Sequence, residues 1–157
     1  MKALTLFQPW ATLVAMGEKR IESRGWATKY RGPLIIHAGK QDKFINPKNG
    51  NYILGANPFN ILNLLRIDQD ALPLGAIVAI CNLIEVKEVD QEDWTPARYS
   101  WKYGAHQWPG TYQEYKLGDY RPGRFMWFLD DIRPVGPIPY QGKQGLWEYN
   151  IDQSPLY

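Results

Sequence analysis

Cysteine, histidine and long apolar runs are scarce in this 157-residue chain. The single cysteine, Cys81, and the two histidines, His37 and His106, exclude a disulfide framework and a cysteine-based zinc site. No run of about 18 apolar residues is present, and the opening MKALTLFQPW lacks the apolar stretch of a signal peptide. We therefore expect a soluble, cytoplasmic protein without a membrane span, a metal site or a cofactor.

The composition is that of an ordinary globular protein apart from its aromatic content. Hydrophobic residues make up 45% of the chain and charged residues 22%, a mixture that excludes a disordered chain. The length fits a single domain over residues 1–157. Aromatic residues reach 14%, with seven Trp and ten Tyr. Because such side chains build cores and also stack on nucleic-acid bases, the composition leaves both uses open.

The small net charge of +2 conceals an uneven distribution along the chain. Residues 1–48 carry nine basic and three acidic side chains, whereas the remainder carries nine basic and thirteen acidic ones. A basic first third suggests a positive face that attracts phosphates. Alternatively, the two parts of the chain interleave in space, and the asymmetry disappears on folding.

Strand patterns dominate the chain. Apolar or β-branched runs predict strands at 3–6, 33–38, 76–86, 125–129 and 145–149, with a short polar strand at 19–24. Helices are predicted from Pro9-Trp10 to Gly17 and from Asn57-Pro58 to about Asp68–Asp70. Three prolines within 134–139 argue against a central strand there. This order predicts an α+β fold with a small closed sheet and two or three short helices.

The segment Gly17-Glu18-Lys19-Arg20-Ile21-Glu22-Ser23-Arg24 combines charges in a way that a core does not tolerate. On a strand, Arg20, Glu22 and Arg24 project to one face, because side chains alternate with a period of two. We expect Arg24 to hold Glu22 at the mouth of a cleft, with Lys19 free to meet an anion. A solvated surface ion pair explains the same pattern.

The octet resembles the GxKxxExR motif of the ASCH family, named for activating signal cointegrator homology. Four further segments resemble that family in the same order along the chain: Leu6-Phe7-Gln8-Pro9-Trp10-Ala11, Leu72-Pro73-Leu74-Gly75-Ala76-Ile77-Val78, Gly118-Asp119-Tyr120-Arg121-Pro122-Gly123-Arg124-Phe125-Met126-Trp127 and Gln144-Gly145-Leu146-Trp147. The resemblance implies a PUA-like β-barrel with a cleft beside the motif, and membership in a superfamily of RNA-binding and RNA-modifying domains.

Under the first hypothesis the chain is a binding module for RNA or single-stranded nucleic acid. Lys19, Arg24 and Arg124 are its candidates for phosphate contacts. Trp10, Trp26 or Trp101 are candidates for base stacking, and Gln8 and Glu22 for hydrogen bonds to base edges. Alternatively, Trp10 packs in the core behind the first helix. Trp127 and Trp147 are expected in the core, and His37 in the core or in a cleft wall.

Under the second hypothesis the chain is a small hydrolase. The resemblance implies this because some ASCH-like proteins are amidohydrolases of N4-acylated cytidine and others are ribonucleases. Lys19 matches the lysine that activates a threonine nucleophile in those amidohydrolases, but Glu22 stands where the threonine would be. Glu22 is then a candidate general base for water, with Lys19 stabilising an oxyanion. We favour a binding role over an enzyme.

Residues 90–124 are expected to form an irregular insertion, rich in aromatic and basic side chains over 94–124. Such a loop could extend a nucleic-acid groove. It could equally pack its aromatic side chains on the barrel as a structural lid.

Overall fold

The computed structural model describes residues 1–41, 62–63, 65–89, 114 and 117–150. These ranges contain one mixed set of strands with little helix. The elements are β1 (Lys2–Leu6), the helix α1 (Trp10–Ala15), β2 (Ile21–Arg24), β3 (Gly32–Ala38), a 3-10 helix (Gln69–Ala71), β4 (Ala76–Glu88), β5 (Phe125–Pro139) and β6 (Leu146–Glu148). Leu62 and Asn63 are helical, but Leu65 and Arg66 form a turn in which Arg66 has a φ of +56°, so the predicted extension of this helix to about Asp68–Asp70 is wrong. The beginning of the predicted helix lies outside the described residues.

The strands form a single sheet in the order β2-β5-β4-β3-β1-β6. β1 and β3 run parallel, and the other neighbouring pairs run antiparallel. The register between β4 and β5 shifts at three places, and such irregularities bend strands. The sheet curls into a half-barrel. Across the described ranges β2 and β6 are not paired with each other, so the predicted closure of the sheet is not confirmed.

β5 is longer than the strand predicted over 125–129. The strand continues through Pro139, and its second half pairs with β4 from Ala79↔Pro134 to Ala76↔Pro139. β2 pairs only with the first half, from Phe125 to Phe128. In the described structure the proline-rich half therefore has a strand neighbour on one side only. Proline has no backbone N–H group to donate, and it is therefore tolerated at such a local edge.

The main core lies between α1 and the sheet. Ala11 and Val14 of the helix pack on apolar residues of β1, β3, β4 and β5. Trp127 is completely buried in this core and Trp147 is 5% exposed in a second cluster, which confirms the core interpretation of both. The helix ends at Ala15, and Gly17, with a φ of +77°, turns the chain toward β2. The octet therefore begins at the end of the helix and continues into an edge strand.

Candidate functional site

A cleft of about 590 Å³ opens where the ends of several strands meet. β1 and β3 are parallel, so their carboxyl ends lie at the same edge of the sheet. β6 is antiparallel to β1, which brings the segment before β6 to that edge as well. The segment after β2 completes the wall. The lining residues are Thr5, Phe7, Arg24, Trp26, His37, Gly39, Lys40, Gln41, Gln141, Gly142, Lys143, Gln144 and Gly145.

The cleft is cationic and partly aromatic. Among its described lining residues, Arg24, Lys40 and Lys143 carry positive charge and no Asp or Glu is present. Phe7 is 36% exposed, so part of its ring faces solvent. Lys40 and Lys143 are exposed, so their ammonium groups are accessible to solvent. Phe7, Lys40 and Lys143 were not predicted as site residues. They lie in three segments that are far apart in the sequence, and nothing in the local sequence of each indicates that the fold brings them together.

Of the predicted site residues that the structure describes, Arg24 and Trp26 line the cleft. The Arg24 Cζ atom lies 5.7 Å from the centroid of the Trp26 ring, within cation–π range. Trp26 in turn packs edge-to-face on buried Trp127, with ring centroids 4.7 Å apart. The Trp127 Nε1 atom donates a hydrogen bond of 3.2 Å to the Trp26 carbonyl oxygen. The core tryptophan thereby fixes the position of the cleft tryptophan.

Lys19 does not occupy the position expected for it. It is completely buried, and its Nζ atom donates a hydrogen bond to the Ile21 carbonyl oxygen. The same atom lies 3.7 Å from Glu22 Oε2 and 3.8 Å from Glu114 Oε1. The prediction that this ammonium is free to meet an anion is therefore wrong, because two carboxylates already neutralise it inside the protein.

Glu114 belongs to the expected insertion and was not predicted as a site residue. Its carboxylate accepts hydrogen bonds from the backbone N–H groups of Arg20, at 2.7 Å, and Ile21, at 3.0 Å. It is 2% exposed, and burial raises its pKa, although Lys19 and the two N–H groups act in the opposite direction. Glu114 thus fastens residues late in the chain to the start of β2. Most of the insertion, including Trp101, lies outside the described residues.

Glu22 is 7% exposed and lies between the two cations of the motif. Its Oε1 atom is 3.4 Å from Arg24 Nη1, and its Oε2 atom faces Lys19. The expected pairing of Glu22 with Arg24 is therefore present. Glu22 itself is not among the residues lining the cleft, so it lies behind Arg24 rather than at the cleft surface.

Gln8 and Trp10 take positions at the start of α1. Gln8 is 1% exposed, and its Oε1 atom accepts a hydrogen bond from the Thr12 N–H at 3.1 Å. Its Nε2 group donates to Thr12 Oγ1 at 2.9 Å and to the Pro73 carbonyl oxygen at 2.8 Å. The hydrogen-bonding capacity expected to serve base edges is thus used to begin the helix. Trp10 is half-buried and does not line the cleft.

Arg124 lies beside the end of β2, outside the cleft lining. Its Nε atom donates to the Asp119 carbonyl oxygen at 2.8 Å, and an Nη atom donates to the Ser23 carbonyl oxygen at 3.4 Å. The Asp119 carboxylate is 3.4 Å from the same Nε atom. Hydrogen bonding from Arg121 and the nearby Arg124 charge lower the pKa of Asp119. Arg124 therefore holds the loop before β5 against β2.

His37 forms part of the cleft wall, which was one of the two positions expected for it. It is 1% exposed, and its Nε2 atom lies 3.0 Å from the Tyr140 carbonyl oxygen. Its Nδ1 atom has no hydrogen-bond partner in the described structure. A side chain at Gly142 would place its Cβ atom 2.4 Å from Nδ1, so glycine is required for this close approach. Burial lowers the pKa of His37, which favours the neutral ring.

The described ranges give no sign of a metal centre, since they bring together no group of three His, Cys, Asp or Glu side chains that could hold an ion. None of the helices in those ranges has the length and apolar character needed to cross a bilayer.

Comparison with solved structures supports the fold. The crystal structure of ASCH from Zymomonas mobilis is 16% identical in sequence, with a TM-score of 0.52 covering 96% of this chain and 88% of that one. A single-residue variant of the same protein gives a TM-score of 0.52 at 14% identity, covering 96% of this chain and 91% of that one. At these identities the likeness concerns the fold alone.

Comparison of sequences leads to the same family. Activating signal cointegrator 1 from mouse and from human are each 51% identical to this chain over 35 residues. That segment is 22% of this chain and 6% of either relative, so the match covers a small part of those proteins. The family model described as the ASCH domain matches residues 4–138. This match spans most of the sequence, and the chain therefore belongs to the ASCH domain family.

Proposed function

We propose that the cleft binds single-stranded nucleic acid, RNA or DNA, through its phosphates and its unpaired bases. The observation that carries this proposal is that the cleft combines three cations with two aromatic side chains, and that no carboxylate is present among its described lining residues. Cations supply the salt-dependent affinity for phosphates. Aromatic side chains stack on bases that are unpaired, which a duplex does not offer.

The proposed contacts differ from those expected from the motif alone. Arg24, Lys40 and Lys143 contact phosphates, and Trp26 and Phe7 supply the surfaces for base stacking. In this proposal Gln8 and Lys19 do not touch the ligand, because both are buried and occupied within the protein. Arg124, whose side chain is 29% exposed, can reach only a phosphate outside the cleft.

The test is a fluorescence anisotropy titration with labelled RNA and DNA strands of about ten nucleotides, and with the corresponding duplexes. Three phosphate contacts predict a slope of log K against log salt of about −2 for single strands, or roughly a twentyfold loss of affinity between about 50 and 200 mM salt. Replacing one contact, as in Lys143→Gln, lowers the magnitude of the slope by about 0.7. Stronger binding of RNA or of DNA identifies the preferred ligand.

Exposed cations outside the cleft provide matched controls. Lys29 and Arg133 are exposed and do not line the cleft, so Lys29→Gln and Arg133→Gln change the net charge equally without removing a proposed contact. Trp26→Leu lowers single-strand affinity roughly tenfold if one base stacks on it. The proposal fails if Lys143→Gln and Arg24→Gln weaken binding no more than these controls do.

The hydrolase alternative draws support from Glu114. This residue places a second carboxylate 3.8 Å from Lys19 Nζ, in a buried group that also contains Glu22. The burial of Lys19 argues against this alternative, because a catalytic group must reach its substrate. Incubation with N4-acylated cytidine or with RNA, followed by chromatography of the products, tests both activities. Turnover that is lost in Lys19→Met and Glu22→Gln would establish the hydrolase instead.

Two finer points extend the proposal. We take the half-barrel to be a variant of the PUA-like barrel that the motif resemblance implies. A cytoplasmic location stays a prediction from the sequence.

A further inference from the structure

Lys19, Arg24, Glu22 and Glu114 form a chain of charges, which we call the motif cluster. It runs from the buried side of β2 to the cleft wall. Glu114 contacts Lys19 at 3.8 Å, Lys19 contacts Glu22 at 3.7 Å, and Glu22 contacts Arg24 at 3.4 Å. One ammonium group and one guanidinium group thus face two carboxylates. When all four groups are ionised the cluster has no net charge, although one of its members lines a cationic cleft.

Glu22 is the member of the cluster that neutralises Arg24. The carboxylate is 7% exposed, and the Arg24 side chain is 24% exposed, so solvent screens their interaction less than that of a surface pair. A phosphate that reaches Arg24 therefore meets a guanidinium whose charge is already partly compensated. Glu22 takes one Nη1 contact, and a guanidinium has five N–H donors, so the remaining donors stay available to a ligand.

We propose that Glu22 is a built-in competitor for the anion of the ligand at Arg24, and that it limits the affinity of the cleft. This inference rests on the proposed function, since it concerns the same cleft and its phosphate ligand. It assigns Glu22 a role opposite to a base contact: removing its charge strengthens binding. Glu22 therefore tunes affinity through Arg24 as a positioning residue and does not touch the nucleic acid.

Glu114 makes this inference testable with an isosteric variant. In Glu22→Gln, the Lys19 ammonium keeps the Glu114 carboxylate and the Ile21 carbonyl oxygen as partners. The buried lysine therefore stays neutralised, while the Glu22 position changes from a carboxylate to an amide of the same shape. The net charge of the motif cluster rises by one unit directly behind Arg24.

The experiment compares Glu22→Gln with the unchanged protein by anisotropy, using the same labelled single strands. We expect about fivefold tighter binding, equivalent to about 1 kcal/mol. We also expect a salt slope steeper by up to about 0.7, because Arg24 then neutralises a further phosphate. Glu18→Gln is the matched control, since Glu18 is exposed in the same octet and its loss changes the net charge equally. This control should leave affinity nearly unchanged.

Two further variants show whether the effect passes through Arg24. In an Arg24→Gln background, Glu22→Gln should give no gain in affinity, as a double-mutant cycle measures. Glu22→Asp retains the negative charge but withdraws the carboxylate by one methylene, and we expect a smaller gain. Circular dichroism and thermal unfolding check that each variant is folded. If Glu22→Gln does not fold, Glu22→Asp and its cycle with Arg24→Gln decide the question.

Failure of the inference and failure of the proposed function give different results. If the unchanged protein binds no strand in a salt-dependent manner, the proposed function fails and the inference fails with it. If it binds and Arg24→Gln weakens binding, but Glu22→Gln leaves affinity unchanged, only the inference fails. If Glu22→Gln weakens binding to strands of particular base composition, Glu22 accepts a hydrogen bond from a base edge, and the competitor role is overturned.

Discussion

The burial of Lys19 predicts that its replacement destabilises the fold rather than removing a ligand contact. In Lys19→Met, a side chain of similar length replaces the ammonium, and the Glu22 and Glu114 carboxylates lose their shared cation. These carboxylates are 7% and 2% exposed. Removing one partner from a buried ion pair costs about 3–5 kcal/mol, because the remaining charge stays buried without compensation.

Urea denaturation at pH 7 measures this cost. With a slope of about 2 kcal/mol per molar urea, a loss of about 4 kcal/mol lowers the midpoint by about 2 M. Domains of ordinary stability, about 5–15 kcal/mol, remain folded after such a loss. Lys29→Met is the matched control, since Lys29 is exposed and its replacement should change the free energy of unfolding by less than about 0.5 kcal/mol.

The destabilisation should depend on pH in a definite direction. Burial already raises the pKa of Glu114 above its usual 4.5, and Lys19 is the largest influence that lowers it. Without Lys19, the folded-state pKa of Glu114 rises further. Between 4.5 and that raised pKa the folded protein binds more protons than the unfolded chain, so stability increases as the pH falls. Lys19→Met should therefore lose less stability at pH 5 than at pH 7.

A second variant separates charge from packing. Lys19→Met combined with Glu22→Gln removes one of the two carboxylate charges that lose Lys19 as a partner, while the amide oxygen can still accept from Arg24. We expect this variant to recover part of the lost stability at pH 7. The reasoning is refuted if Lys19→Met costs less than about 1 kcal/mol and lowers single-strand affinity as strongly as Arg24→Gln does. That result would show that the ammonium reaches the ligand.

Two further predictions concern buried groups outside the motif cluster. Gly142→Ala should cost about 1–3 kcal/mol in thermal unfolding, because the added Cβ atom would lie 2.3 Å from His37 Cε1. Gly136→Ala is the control and should have little effect, since nothing lies within 4 Å of its added Cβ atom. Equal effects of the two variants would contradict the tight contact at Gly142. Cys81 is 1% exposed and burial raises its pKa to about 12, so Ellman's reagent at pH 8 should modify it only after denaturation. Rapid modification of the native protein would show that the thiol is accessible.

The sequence predicts most of the described elements because their signals are local. The opening strand, α1, β2, β3, β4 and β6 follow from periodicity and from turn residues such as Gly17. The proline-rich half of β5 does not follow, because proline excludes a strand only where both of its sides are paired. Whether β2 extends beside that half is a property of the sheet and is not encoded within residues 134–139.

Prediction of the site divides in the same way between local and distant signals. Arg24 and Trp26 could be chosen because the motif itself is a local pattern, and the cleft contains both. Lys143 could not be chosen, because the pairing of β6 with β1 brings it beside residues almost 140 positions earlier in the chain. The prediction that the Lys19 ammonium is free to meet an anion was wrong for a related reason. Its second carboxylate comes from Glu114, which no spacing within the octet reveals.

The basic first third of the chain accounts for the positive cleft only in part, since it supplies Arg24 and Lys40 but uses other charges elsewhere. Lys19 is neutralised in the interior, Lys2 pairs with Glu148 near the carboxyl end, and Arg24 is partly compensated by Glu22. In the cleft, Lys143 from the acidic remainder of the chain joins Arg24 and Lys40 from the first third. The interleaving considered for the sequence therefore occurs in part, but it concentrates positive charge at one place. Since few cations act there, each proposed contact should account for a measurable share of the salt dependence.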